Sequence, residues 1–269
     1  MTTKHQNTDF FIHILKTAGS TMMSIIWRQY RHKDIFHVRE RDFSDFRALP
    51  VSQRNGFALV GGHMCYGVHE FVTHPGRYFT ILRDPYKRIH SYYYYMRSRP
   101  ESEWYQMTNS MDLAQFIKKS GNPELNNGQL RRLYGVEGFE IGFGECPRDM
   151  LDEVKTRIAD RFSVIGLTER FYETSVLMSE TNSWKLLPFF YKNVTRGKPN
   201  YQALNTSTRE VILKYNQLDM QLYKFTEERL AEMIQSSGKK FLTKVRLYRF
   251  VNQLLNELFA PFQPSNQVK

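Results

Sequence analysis

Short, almost wholly apolar runs alternate along this chain with stretches whose apolar residues recur every three or four positions. Phe10-Phe11-Ile12-His13-Ile14-Leu15 is the first such run and predicts a strand. Lys16-Thr17-Ala18-Gly19-Ser20-Thr21 follows, and then Met22, Ile25, Ile26 and Tyr30 recur at helical spacing. The order is strand, tight loop, helix. Phe57-Ala58-Leu59-Val60, ending at Gly61-Gly62-His63, predicts a second strand. Tyr78 to Leu82, ending at Arg83-Asp84-Pro85, predicts a third, and Phe162 to Gly166 a fourth. Asp84 suits an N-cap and Pro85 the first position of a helix through Tyr86, Ile89, Tyr93 and Met96. Strands that are apolar on both faces and alternate with helices form a parallel sheet covered on both sides. Ligands in such sheets bind beyond the carboxyl ends of the strands, where the polar motifs of this chain fall. The expected fold class is α/β: a P-loop-like parallel sheet flanked by helices, with a helical C-terminal region.

From about Thr208 a long helical pattern runs through Leu213, Leu218, Leu222, Phe225 and Leu230, until Ser236-Ser237-Gly238 breaks it. The last segment, Lys239 to Phe259, mixes Lys239, Lys240, Lys244, Arg246 and Arg249 with Leu242, Val245, Tyr248, Val251 and Leu255. A basic amphipathic helix of this kind either packs on the core with a solvated basic face or lies on a membrane surface. Pro261 to Lys269 is expected to fray. The division read from the sequence is a flexible N-terminus over 1–9, one folded domain over 10–235, and a basic amphipathic helix with its tail over 236–269. No internal repeat is visible.

Composition narrows the class. The chain has 269 residues, suited to one large domain with at most a small appendage. Hydrophobic residues at 41% and aromatics at 14% exclude global disorder, and 15 Gly and 10 Pro exclude a collagen-like chain. Cys65 and Cys146 are far apart, so a disulfide framework is not expected, and no Cys/His spacing suggests a zinc site. No apolar run approaches the roughly 20 residues that cross a bilayer. No leader with a small-residue cleavage site is read either, so a cytoplasmic location is expected. Lys and Arg number 38 against 27 Asp and Glu, a formal charge of +11. That charge favours a polyanionic partner: nucleic acid, anionic lipid, anionic glycan or a highly phosphorylated nucleotide. Composition does not choose among them.

The motifs do. A strand–helix loop carrying Lys16, Gly19, Ser20 and Thr21 is built to hold a phosphate, because the first N–H groups of a helix and its dipole favour an anion there. The same residues also fit a capped turn with a surface lysine. A Walker loop places Lys after the glycine, in the order GxxxxGK[ST]; here the lysine comes first, which argues against an ordinary ATPase or kinase. In Arg83-Asp84-Pro85-Tyr86-Lys87-Arg88-Ile89-His90-Ser91, an Arg at a strand end and a Ser on the following helix could share one phosphate, for which the planar guanidinium fork is suited. Alternatively Asp84 caps the helix and Arg83 pairs with a carboxylate.

In combination the two elements resemble those of sulfotransferases that use 3′-phosphoadenosine 5′-phosphosulfate (PAPS), particularly the branch of the heparan sulfate 2-O-sulfotransferases and their bacterial relatives. HILKTAGST resembles the family's 5′-phosphosulfate loop, and FTILRDPYKRIHSYYYY its 3′-phosphate motif. Asn127-Gly128-Gln129-Leu130-Arg131 and Val164 to Phe171 are similar in order and spacing, and the resemblance spans roughly Phe10 to Leu230. It implies that Lys16 contacts the phosphosulfate, that Thr17, Ala18, Gly19, Ser20 and Thr21 cradle the 5′-phosphate, and that Arg83 and Ser91 hold the 3′-phosphate. Thr195, Arg196 and Lys198, in Asn193 to Pro199, resemble a later donor-binding loop. Asn127, Gln129 and Arg131 would contact the acceptor. No metal is implied, and PAPS is the donor substrate.

A hydroxyl that attacks sulfur needs a base, and His is the side chain most readily poised near neutral pH. His63, just after a predicted strand, resembles the family's proposed base, although the heparan-modifying members carry His-Gly-His where this chain has Gly61-Gly62-His63. His13 reads as a core or supporting group, His90 as a packing or solvent-facing one, and His69 and His74 form no metal set. Tyr92 to Tyr95 cover every face of a helical turn, so most must be packing. The expected reaction is in-line displacement at sulfur, with His63 as base and Lys16 at the leaving group. The expected acceptor is a saccharide or glycolipid hydroxyl, with peripheral membrane contact through the basic helix and no nucleic-acid partner. The competing readings are a P-loop kinase using ATP and a non-enzymatic polyanion-binding protein.

Overall fold

The computed structural model of the protein describes residues 7–191 and 199–259. Its first half runs β1 (Thr8–Ile12), α1 (Gly19–Ile26), β2 (Ile35–Val38), α2 (Ser44–Arg47), α3 (Val51–Arg54), β3 (Leu59–Gly62), β4 (Gly76–Leu82) and α4 (Pro85–Arg97). There follow α5 (Tyr105–Ser110), α6 (Leu113–Ser120), α7 (Gly128–Tyr134), α8 (Asp149–Arg161), β5 (Phe162–Leu167) and α9 (Phe171–Thr181). The described chain closes with α10 (Thr206–Tyr215), α11 (Gln217–Ser236) and α12 (Gly238–Phe259).

The five strands form one sheet in the order β2-β3-β1-β4-β5, and every pairing is parallel. The α/β expectation therefore holds, with helices flanking a parallel sheet. Phe10, Phe11 and Phe79 are fully buried in the sheet. Each such ring stabilises by roughly 1.5–3 kcal/mol relative to exposure. All four predicted strands are present. β1 begins earlier than the apolar run, at Thr8, so Thr8 and Asp9 belong to the sheet rather than to a tail. Their polar groups are satisfied there: Thr8 donates to the Phe57 carbonyl at 2.8 Å, and Asp9 accepts from Arg77 and Tyr30. The strand ends at Ile12 because the chain turns into the loop that opens α1.

Two features differ from the sequence reading. β2 is an additional edge strand, and three of its four residues keep solvent contact. The long helical pattern after Thr208 is two helices, α10 and α11, separated at Asn216. Asn216 is fully buried and spends its side chain on the Leu125 and Ile212 carbonyls and on the Asn127 N–H. The break before α12 falls at Ser237, as the Ser-Ser-Gly sequence predicts. Phe241, Val245 and Tyr248 of α12 join the main hydrophobic core, so this helix is packed against the domain along one face. Among the described residues no helix is long and apolar enough to cross a membrane.

The strand order reverses direction at β1 and β4. Successive connections leave β1 toward β2 and β3 on one side, while β4 and β5 lie on the other. In open parallel sheets that point opens a crevice beyond the carboxyl ends. The loop from His13 to Ala18 and the Arg83 segment both begin there.

Candidate active site

The loop after β1 is held in an uncommon shape. Lys16 and Ala18 have φ of 68° and 64°, in the left-handed region. Non-glycine residues there cost on the order of 1–3 kcal/mol each, and turns of this kind can aim successive N–H groups into an anion-binding concavity. Contacts from three directions hold the shape. Arg83 donates through Nη1 to the Lys16 carbonyl at 3.0 Å, and Thr168 donates to the Thr17 carbonyl at 2.8 Å. Within the loop, Thr17 donates to the Ile14 carbonyl at 2.9 Å. Gly19 opens α1 because no side chain fits: a Cβ there would lie 1.9 Å from Cδ2 of the His13 ring. The Lys16 ammonium sits 3.9 Å from the centre of the Tyr95 ring on α4. One of the four consecutive tyrosines thus reaches the site, while Tyr92 and Tyr93 are buried in the core.

His63 follows β3 and meets this loop. Its ring stacks on that of His13, centroids 4.1 Å apart, and its Nδ1 lies 2.9 Å from the His13 carbonyl oxygen. A carbonyl only accepts, so Nδ1 carries the proton and the lone pair of the neutral ring is on Nε2. Burial, and after it the Arg132 guanidinium, hold His63 below the ordinary imidazole range. His13 lies further below it, through burial first and the neighbouring His63 second. Both rings are therefore neutral near pH 7. Cys65, two residues from His63, is no rival nucleophile: burial pushes its thiol up to about 12. Gly61 is tightly surrounded: a Cβ there would meet the Met23 methyl at 3.1 Å and Phe11 Cβ at 3.3 Å.

Arg83 follows β4. Its backbone N–H donates to Gln129 Oε1 and its carbonyl accepts from Gln129 Nε2, both at 2.9 Å, so one amide side chain brackets the residue. The Arg83 Nε is buried with no hydrogen-bond partner among the described residues. Asp84 caps α4 by accepting from the Lys87 N–H at 2.9 Å, with Pro85 in the first turn, as the sequence predicts. Ser91, on the next turns of α4, is buried.

The structure thus brings together Lys16, Thr17, Ala18, Gly19, His63, Arg83 and Gln129. Asn127 and Arg131 are joined to them only through the interior. Asn127 accepts from the Leu218 and Asp219 N–H groups, at 3.1 and 3.0 Å. Arg131, fully buried, donates to the carbonyls of Asn126, Gly138, Ile141 and Gly142. The polar atoms expected to meet an acceptor are thus committed inside the protein. Thr195, Arg196 and Lys198 lie outside the described residues.

A buried ion network that the sequence does not signal lies beneath the site. Arg132 donates to the His63 carbonyl at 2.6 Å and is paired with the Glu124 carboxylate. The Glu124 and Asp219 carboxylates lie 3.6 and 3.7 Å from the two terminal nitrogens of the fully buried Arg88. Asp219 in turn accepts from the Gln129 and Leu130 N–H groups. These residues share no local periodicity.

The parallel sheet, the left-handed loop at its switch point and the neutral histidine beside it thus meet at one end of an α/β protein. Comparison with known proteins gives the family. The galactose-3-O-sulfotransferase family model matches residues 3–260, and the chain belongs to this family. It is 23% identical over 267 residues to a galactosylceramide sulfotransferase from Bos taurus, covering 92% of this chain and 63% of that protein. The chain therefore spans under two thirds of that relative's length. Among solved structures it is similar to mouse sulfotransferase SULT7A1 complexed with PAP, at 11% identity. That match covers 81% of this chain and 66% of the other, with a TM-score of 0.39.

Proposed function

We propose that this protein transfers a sulfuryl group from PAPS to a hydroxyl of a saccharide or glycolipid, with His63 as general base. The observation that carries the reading is the junction of His63 with the loop after β1. A neutral imidazole with its Nε2 lone pair available is bonded, through the His13 carbonyl, to the segment that holds Lys16. Family membership supports the reaction class, and the relative named for galactosylceramide supports a galactosyl lipid as acceptor.

The donor set suits a nucleotide carrying anionic groups at two ends. The loop from Lys16 to Thr21 serves one end, while Arg83, whose buried Nε has no hydrogen-bond partner among the described residues, and Ser91 serve the other. When bound, the donor supplies the sulfuryl group. His63 accepts the hydroxyl proton at Nε2, because Nδ1–H is committed to the His13 carbonyl. Lys16 and the first turn of α1 hold positive potential where the donor's charge concentrates. Thr195, Arg196 and Lys198 complete the donor site in this reading. Gln129 positions Arg83 from behind, and Arg131 and Asn127 support it through the scaffold.

The test is calorimetric titration with the desulfated product 3′-phosphoadenosine 5′-phosphate, with ADP as control, followed by turnover with PAPS and a galactoside. Tight binding of the first, weak binding of ADP and transfer to the sugar are expected. Equal affinity for both nucleotides would overturn the donor assignment. In His63→Ala, donor affinity should be kept while kcat falls about 10²–10⁴-fold, the usual range for a general base. Unchanged kcat would remove His63 from the chemistry.

A further inference from the structure

We infer that the outer face of α12 is a docking surface for an anionic lipid bilayer. Of the large hydrophobic side chains exposed among the described residues, most lie on α12 or in the Phe190-Tyr191 pair against its C-terminal end. Phe241, Val245, Tyr248 and Asn252 mark the buried line of the helix, which leaves the opposite side for solvent. On that opposite side Leu247, Phe250, Leu254 and Leu258 recur at three- and four-residue spacing, with Leu247 and Phe250 63% and 65% exposed. An apolar seam so open has no use in water, and it continues into Phe190, whose ring meets that of Phe259.

Charge decides what covers it. The helix carries Lys239, Lys240, Lys244, Arg246 and Arg249 against Glu257 alone. Lys244 and Arg249 face Glu180 and Glu173 of α9, while Lys239, Lys240 and Arg246 are exposed beside the seam. A second copy laid on this face would oppose like charges, whereas anionic headgroups would receive both the lysines and the apolar stripe. Long basic side chains can extend their heads to the headgroup layer while their stems cover apolar surface.

The position of the helix ties the surface to the site. The ion pairs Arg249–Glu173 and Lys244–Glu180 show that α12 runs antiparallel to α9. α9 starts at Phe171, a few residues beyond the carboxyl end of β5. The seam's Leu254, Leu258 and Phe259 therefore lie toward the end of the sheet where Lys16, His63 and Arg83 meet. Resting on the proposed sulfuryl transfer to a glycolipid, docking here would bring a membrane-embedded acceptor to the cleft without the lipid leaving the bilayer.

The experiment is co-sedimentation of the full chain with vesicles of phosphatidylcholine, alone or mixed with phosphatidylglycerol. The mixed vesicles should bind the protein. Binding should fall at least about tenfold in the variant Leu247→Glu/Phe250→Glu/Leu254→Glu, and also in Lys239→Ala/Lys240→Ala/Arg246→Ala. These exposed positions leave the core intact, which thermal melts of each variant verify. Turnover on a soluble galactoside should be unchanged in both variants, while turnover on a vesicle-embedded galactosyl lipid falls with vesicle binding. A protein that stays in the supernatant with mixed vesicles overturns the inference, as does Glu-variant binding equal to that of the unmodified chain. Light scattering that finds a dimer, dissociated by the same Glu substitutions and blind to vesicles, also overturns it by making the seam a self-interface. Vesicle binding without transfer to either acceptor would instead overturn the proposed reaction and leave the docking surface standing.

Discussion

The Arg132 guanidinium donates to the carbonyl oxygen of His63 at 2.6 Å while the Glu124 carboxylate holds its other nitrogen. This contact fixes the backbone of the residue proposed as base and also sets a positive charge beside its ring. Burial disfavours the imidazolium most, and Arg132 disfavours it next.

A pH prediction comes from that arrangement. Neutral His63 is the working form, so activity is present above its pKa and lost as pH falls through it. Because that pKa is lowered, the acidic limb of kcat/KM should fall below the ordinary imidazole value of about 6.5. Arg132→Gln removes the cation and leaves Glu124 near the ring, both of which favour the imidazolium, so the limb should move up. Arg132→Lys keeps the charge and should hold the limb in place. A limb unmoved in Arg132→Gln would mean that Arg132 supports the loop without tuning the ring.

Gly19 and His13 make a second prediction. A methyl group at position 19 would overlap the His13 ring, which stacks on His63. Overpacking of this kind costs about 1–3 kcal/mol, and here the ring that must move is the one that sets the orientation of His63. Gly19→Ala should lower stability by that amount in denaturant titration and reduce kcat well beyond the loss of folded protein. A variant with a lowered melting point and full kcat per folded molecule would show that the stack plays no part in positioning the base.

What could be read from the sequence follows from where each signal lies. β1, β3, β4 and β5 are buried on both faces, so their apolar runs stand out. Ile35-Phe36-His37-Val38 is a short edge strand, half-solvated and interrupted by His37, and carries no such run. The break at Asn216 leaves no local mark, because neither Gly nor Pro stands between Leu213 and Leu218 to punctuate the pattern. Its cause is a set of bonds to residues some 90 positions earlier. At the site, Lys16, His63 and Arg83 each sit in a local strand-to-loop pattern. Thr168, Glu124, Arg132 and Asp219 reach the same place through long-range pairing that no local window contains. Gln129 stood in a legible motif, yet its contact, the backbone of Arg83, emerged only with the fold.

That contact makes Gln129 a test of how the donor arm is held. Gln129→Leu removes both bonds to the half-buried Arg83 backbone, each contributing about 1 kcal/mol. Arg83 should shift, and affinity for 3′-phosphoadenosine 5′-phosphate should drop about tenfold or more, while affinity for ADP, which lacks the 3′-phosphate, changes little. Gln129→Glu keeps the acceptor for the Arg83 N–H and should recover part of the loss. Calorimetry on the two variants decides it. An equal loss for both nucleotides would place the effect on the fold as a whole.

The last prediction concerns the scaffold under the site, where α7 and α11 cap one another. Asn127, at the start of α7, accepts from the first-turn N–H groups of Leu218 and Asp219 in α11. Asp219 accepts from the first-turn N–H groups of Gln129 and Leu130 in α7. Asn127 also has φ of 51°, a conformation Asn tolerates better than Ala. Asn127→Ala should therefore lose a cap and add backbone strain, about 2 kcal/mol in all. In a domain of this size that corresponds to a fall in Tm of roughly 4–8 °C. Asn127→Gly loses the cap but relieves the strain, so its Tm should fall between the two. Thermal melts in which alanine matches the unmodified protein would show that the shared cap contributes nothing. Because α7 carries both Gln129 and Arg132, a weakened cap should also reach the site. Kinetics measured below the melting transition should show raised donor KM in Asn127→Ala before any loss of folded protein.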